Sequence, residues 1–215
     1  MTDDIRVINV DLTGPAGSIE GLINARAGAE PRAIAVLAHP LPTHGGTMHT
    51  KGVFHAAKAL ARIDAAVLRF NFRGVGRSTG SFSDGPGEQD DLRAALAFMK
   101  ARYPAVTRIW CGGMSFGSWV ALTAGAADPQ VTALLGIACP VNKYDYSAVA
   151  SSGKPTFLIH GERDELIPEK DIRRFYATLS EPKELVIIDG ADHLFDGKVT
   201  EVGDAVEDLL QDFNA

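Results

Sequence analysis

The chain is poor in cysteine, with only Cys111 and Cys139 among 215 residues, so no disulfide framework can hold it together. Each of the two sits in or beside an apolar strand-like run, where buried free thiols are expected. Positive charge is also scarce: 21 Lys and Arg stand against 27 Asp and Glu, a formal net charge of −6. No Lys/Arg cluster offsets that balance, which argues against nucleic acid or an anionic membrane as partner. No uninterrupted apolar run reaches membrane-spanning length. The opening residues Met1-Thr-Asp-Asp-Ile-Arg6 lack a basic segment and an apolar core, so no signal peptide is expected and the chain reads as cytoplasmic. Internal repeats, low-complexity tracts and linkers are missing too, and 1–215 is expected to form one domain.

Two cofactor signatures are incomplete. His39, His44 and His49 recur every five residues, but no carboxylate or cysteine nearby completes a ligand set, so no metal is expected. Gly74-Val-Gly76 lacks the third glycine and the helix start of a dinucleotide fingerprint. The expectation is a protein without cofactor.

What remains is a regular alternation. Ile5–Leu12 and Ser18–Ala25 are β-type runs around the turn Thr13–Gly17 and predict a hairpin. Short continuous apolar runs at Ala33–Ala38 and Ala65–Phe70 predict buried strands, Val131–Ala138 another apolar strand, and Lys154–His160 and Glu184–Ile188 two more strands. Between them lie helical patterns: Val53, Phe54, Ala57, Leu60 and Ala61, then Glu88–Arg102, Pro168–Leu179 and a C-terminal stripe from Val199 to Phe213. Asp90 and Asp91 are read there as helix N-terminal charge. The order predicts a mostly parallel sheet with helices on both faces. Chemistry in such sheets gathers beyond the C-terminal ends of the strands.

One stretch organises the rest. The β-type run Ala105-Val-Thr-Arg-Ile-Trp110 leads to Gly113-Met-Ser-Phe-Gly117, and the helix-type run Ser118–Ala124 follows. G-x-S-x-G between strand and helix is the pattern of a nucleophile elbow. Ser115 would sit at a strained apex, with glycines where side chains would collide, and at a helix N-terminus that favours developing negative charge. A serine hydroxyl needs a base oriented by an acid. His193, just after the last strand, fits the chain order of that elbow. Asp164 follows the penultimate strand and is preferred as the acid, with Glu162, Glu165 and Asp192 as competitors. Asp192, adjacent to the histidine, would diverge from the imidazole and cap a turn, whereas His160 lies on the strand and would be buried.

Gly113–Gly117, His160-Gly-Glu-Arg-Asp164 with Ile167-Pro168, and Gly190-Ala-Asp-His193 resemble the nucleophile, acid and base segments of the α/β-hydrolase superfamily. Arg73-Gly-Val-Gly-Arg-Ser78 looks like that family's loop after the fourth strand. His39-Pro-Leu-Pro42 with Gly45-Gly46, and Arg69-Phe-Asn-Phe-Arg-Gly74, are similar to small bacterial members without a cap domain. The resemblance implies an eight-stranded sheet and hydrolysis of esters or related compounds. An oxyanion hole would draw on the backbone N–H of Phe116, the residue after the nucleophile, and on that of Leu41, held between two prolines that have none. With only about 16 residues between the strands that flank it, the region around Lys143–Gly153 cannot hold a cap. An open, shallow site follows. His39, Met114, Tyr144 and Tyr146 are the candidate substrate contacts. The expected activity is hydrolysis of carboxylic esters with small soluble acyl groups. Peptidase, thioesterase and amidase activity on the same machinery stay open, as does a binding protein that has kept only the fold.

Overall fold

The computed structural model describes residues 4–213. Its strands are β1 (Ile5–Gly14), β2 (Gly17–Arg26), β3 (Ala33–Ala38), β4 (Ala65–Phe70), β5 (Ile109–Met114), β6 (Ala133–Ile137), β7 (Thr156–Gly161) and β8 (Lys183–Ile188). The helices are α1 (Lys51–Arg62), α2 (Pro86–Arg102), α3 (Phe116–Ala127), α4 (Ser147–Ser151), α5 (Glu169–Thr178) and α6 (Val199–Leu210). All eight strands form one sheet in the order β1-β2-β4-β3-β5-β6-β7-β8. The hairpin β1–β2 joins β4 antiparallel, and every other pairing is parallel.

Alternation along the strands builds two cores. On β3, Ile34, Val36 and Ala38 face the layer of α2, α3 and α5, while Ala33, Ala35 and Leu37 face α1 and α6. Both faces are covered, so every residue of β3, β4, β5, β6 and β7 is buried, which is why these strands read as mainly apolar runs, interrupted by Arg69 on β4 and by Thr156 and His160 on β7. The strand order reverses at β3, whose neighbours β4 and β5 connect in opposite directions. That leaves a crevice beyond the C-terminal ends of β3 and β5.

Two expectations need correction, and one element is unexpected. β5 begins at Ile109 rather than Ala105 and runs through Cys111-Gly-Gly-Met114. Glycine is a poor strand former, but a Cβ at Gly112 would lie 2.5 Å from the Leu135 carbonyl oxygen, so the close approach of β6 requires it. The short helix α4 has no counterpart in the apolar periodicity; it lies in the connection from β6 to β7, which carries no inserted domain. Finally, only Asp90 of the acidic pair on α2 is a surface charge, paired with Arg93. Asp91 is fully buried and accepts the Arg73 backbone N–H at 3.0 Å, Nε at 3.0 Å and Nη2 at 2.8 Å. It clamps the loop after β4.

Cys111 on β5 and Cys139 just past β6 are free and buried. Burial pushes both thiols up, that of Cys139 to about 12. Among the described residues, no helix is long and apolar enough to cross a membrane.

Candidate active site

Ser115 stands between β5 and α3 with φ +52°, a conformation that an L-residue holds only where its surroundings leave no alternative. Those surroundings are backbone. A Cβ on Gly113 would lie 2.5 Å from the Gly117 carbonyl oxygen, and one on Gly117 would lie 2.3 Å from that of His39. The Ser115 N–H donates to the Ile137 carbonyl at 2.8 Å, and the Ser118 hydroxyl donates to the Ser115 carbonyl at 2.6 Å. The Oγ is left to face the crevice.

His193 and Asp164 arrive on loops after β8 and β7. These loops touch at Gly161, where a Cβ would lie 2.5 Å from the Ala191 carbonyl and 2.6 Å from that of Asp192. His193 Nε2 is 2.9 Å from Ser115 Oγ, and Nδ1 is 2.7 Å from Asp164 Oδ2. The other carboxylate oxygen, Oδ1, accepts the backbone N–H groups of Leu166 at 2.9 Å and Ile167 at 2.8 Å. Burial works against the Asp164 charge, but the His193 hydrogen bond and charge and the Ile167 N–H together outweigh it and hold the carboxyl below its usual range. An ionised Asp164 accepts from Nδ1–H, so the proton sits there and Nε2 is free to take one from Ser115.

None of the competing carboxylates bonds His193. Asp192 Oδ1 accepts from Leu194 and Asp196 N–H, both at 3.0 Å, and Glu162 accepts from Gly190 N–H at 2.8 Å. Glu165 is exposed on the rim of the cleft. His160 is fully buried with Nε2 donating to the Ile167 carbonyl at 2.9 Å, and burial pulls its pKa down. It braces the loop that carries Asp164.

Phe116 is the first residue of α3, where backbone N–H groups have no partner within the helix. Leu41 lines the cleft from the opposite loop. That loop is held by side chains. His39 Nε2 accepts the Phe72 N–H at 3.1 Å, so Nδ1 carries the proton and donates to the Pro40 carbonyl at 2.6 Å. Buried Asn71 accepts the Met48 N–H at 2.9 Å, and buried Arg69 donates to the Met48 carbonyl at 2.6 Å. The run Arg69–Arg73 is therefore a frame for the loops on either side of it. Nothing in local sequence pairs these residues with Met48 or His39.

The candidate substrate contacts divide. Tyr144 borders the cleft with Ser115, Phe116 and His193, in a cavity of about 600 Å³. The other three lie away from it. His39 is fully buried as the loop brace just described, and burial lowers its pKa to about 4. Met114, the last residue of β5, is fully buried against Gly52 of α1, because its side chain leaves the strand on the face opposite the cleft. Tyr146 turns inward, 5% exposed, with its hydroxyl 3.0 Å from Ser118 Oγ. Sequence reading missed Lys143, Leu166 and Leu194, which also line the cleft; their only signal is proximity to Tyr144, Asp164 and His193. Among the described residues, no group of three or more His, Cys, Asp or Glu is placed to share a metal ion.

Comparison with known proteins finds a match over residues 29–153 to the family described as serine aminopeptidase, S33. That span includes Ser115 and stops short of Asp164 and His193. The uncharacterized protein RP471 of Rickettsia prowazekii is 37% identical over 205 residues, covering 92% of this chain and 86% of its own. XC6422 from Xanthomonas campestris, described as an a/b serine hydrolase without lid, superposes with TM-score 0.87 at 35% identity, covering 95% of this chain and 94% of that one. An alpha-beta serine hydrolase homologue from Coxiella burnetii does so with TM-score 0.84 at 34% identity over 98% of both chains.

Proposed function

Because the chain belongs to the α/β-hydrolase superfamily, in the family described as serine aminopeptidase S33, we propose that it is a serine hydrolase acting on carboxylic esters with small acyl groups. The observation that carries this reading is the unbroken relay from Ser115 Oγ through His193 to Asp164, at 2.9 and 2.7 Å. Ser115 Oγ attacks the ester carbonyl carbon while its proton passes to His193 Nε2. The Phe116 and Leu41 N–H groups receive the oxyanion. The intermediate collapses, the alkoxide leaves with the proton from His193, and an acyl-serine remains. Water, deprotonated by the same imidazole, then releases the acid. Asp164 keeps the imidazole in the required tautomer and stabilises its charged form.

A cleft of about 600 Å³ without a cap favours short acyl chains, since a long one would run out of it into solvent and each buried CH₂ is worth about 0.8 kcal/mol. A second reading, release of an N-terminal residue from a peptide, is favoured by the family's description and by Glu165, a rim carboxylate able to meet an α-ammonium group.

A fluorophosphonate should label the protein stoichiometrically. Ser115→Ala should abolish both label and turnover, a loss of at least ~10⁴-fold in kcat, without unfolding the chain. Stoichiometric labelling of the alanine variant would move the nucleophile elsewhere. A screen of acyl esters against aminoacyl amides separates the two readings.

A further inference from the structure

Helix α3 carries Trp119 one turn beyond Ser115, with its N–H 3.4 Å from the Ser115 carbonyl. Other segments are shaped around that indole. Gly85, at φ +122°, has no side chain where a Cβ would lie 2.5 Å from Trp119 Cη2. The indole Nε1–H donates to the Asp145 carbonyl at 3.2 Å and ties the loop after β6 to α3. Tyr144, one residue earlier on that loop, stacks on the indole with ring centroids 4.4 Å apart and planes at 15°. Phe116 meets both rings, at 5.8 and 5.9 Å. The stack is thus backed and fixed in place, while the Tyr144 ring still borders the cleft onto which Ser115 opens.

Beside the charged Lys143 and Glu165, the rim carries further apolar side chains. Leu166 and Leu194, on the acid and histidine loops, border the same cleft and stay 50% and 51% exposed. A rigid aromatic wall with open leucines beside a small cleft is apolar area left for a ligand to cover. A flat ring gains more from such a wall than a saturated ring of equal size, because aromatic pairs add an electrostatic preference to the area they bury.

Resting on the hydrolase reading above, we infer that the cleft selects esters carrying an aromatic ring within a few atoms of the scissile bond, held against Tyr144 with Trp119 behind it. The ring can belong to the acyl or to the alcohol part, and matched pairs of esters distinguish these. Benzyl acetate against cyclohexylmethyl acetate tests the alcohol side. Methyl phenylacetate against methyl cyclohexylacetate tests the acyl side, with methyl butanoate as the ring-free reference and acid release followed by titration. In at least one pair the aromatic ester should have roughly 3- to 10-fold higher kcat/KM. Tyr144→Leu should bring that ratio to about one, whereas Tyr144→Phe should keep it. If Tyr144→Leu does not fold, Trp119→Leu should lower the ratio instead. Ratios near one in both pairs, with methyl butanoate turned over normally, overturn this inference and leave the hydrolase reading standing. A ratio that survives Tyr144→Leu overturns it as well, since the ring then binds elsewhere. No turnover of any ester and no phosphonate label end both readings together.

Discussion

The elbow at Gly113–Gly117 and the loop between His39 and Met48 face each other across the end of the sheet, and apart from Gly46, where a Cβ would meet the Pro40 carbonyl, they are held by opposite means. The elbow is held by missing side chains: backbone rests on backbone, and the Gly117 position has no room for a methyl group beside the His39 carbonyl. The loop is held by buried polar side chains, His39, Arg69 and Asn71, each bonded to a backbone group. A steric restraint is all or nothing and indifferent to pH. A polar restraint is graded, and where a histidine supplies it, it titrates. The two meet at His39, whose carbonyl bounds the elbow while its ring braces the loop.

Breaking the steric side should have the largest effect. Gly117→Ala puts a methyl group against two carbonyls that cannot yield, and should cost at least ~4 kcal/mol of stability or leave no folded protein. A denaturant midpoint near that of the wild type would show that the elbow has slack. Next comes the loop after β7, where one carboxylate bonds both His193 and the backbone of its own turn. Asp164→Asn should lower kcat by at least ~10²-fold, whereas Asp192→Asn and Glu165→Gln should change it little. A large loss in Asp192→Asn beside a near-normal Asp164→Asn would move the acid to the histidine loop.

The polar side should betray itself through pH. His39 is neutral in the fold with a pKa near 4, so between its ordinary value of 6.5 and that point the unfolded chain binds the proton more readily. Stability is therefore complete above the ordinary value and declines as the medium turns acidic, by about 3 kcal/mol at pH 4. Buried His160 adds in the same direction. Urea midpoints across this range read the slope, and His39→Gln, which cannot titrate, should flatten it. The smallest effect is expected for Asn71→Ala, which strands the Met48 N–H and should cost about 1–3 kcal/mol, with a modest fall in kcat as the loop loosens.

This contrast also separates what could be read from the chain from what could not. A steric restraint is local. Gly113-x-Ser115-x-Gly117 shows it within five residues, and strands buried on both faces show as apolar runs at Ala33–Ala38 and, broken only by Arg69, at Ala65–Phe70. The eight-stranded sheet without a cap followed from such runs together with family resemblance. A polar restraint is not local. His39 looks like a loop histidine open to substrate until Phe72, 33 residues on, supplies its partner. Asp91 reads as helix-end charge until Arg73 folds over it. Tyr144 and Tyr146 are two residues apart with similar chemistry, and only packing sends one to the cleft and the other to Ser118. The choice of Asp164 over its neighbours rests on position after a strand and on family resemblance, and a distance to Nδ1 exists only once β7 and β8 lie side by side.

The two sealed thiols give the molecule something the proposed hydroxyl chemistry does not use. Cys111 lies four residues before Ser115 in the middle of the sheet, and Cys139 follows the strand whose Ile137 carbonyl holds the elbow. Both are fully buried and kept protonated, so oxidants and alkylating agents find no thiolate to attack while the fold is closed. Their modification therefore reports opening: the rate at which each thiol reacts measures how often that part of the frame comes apart.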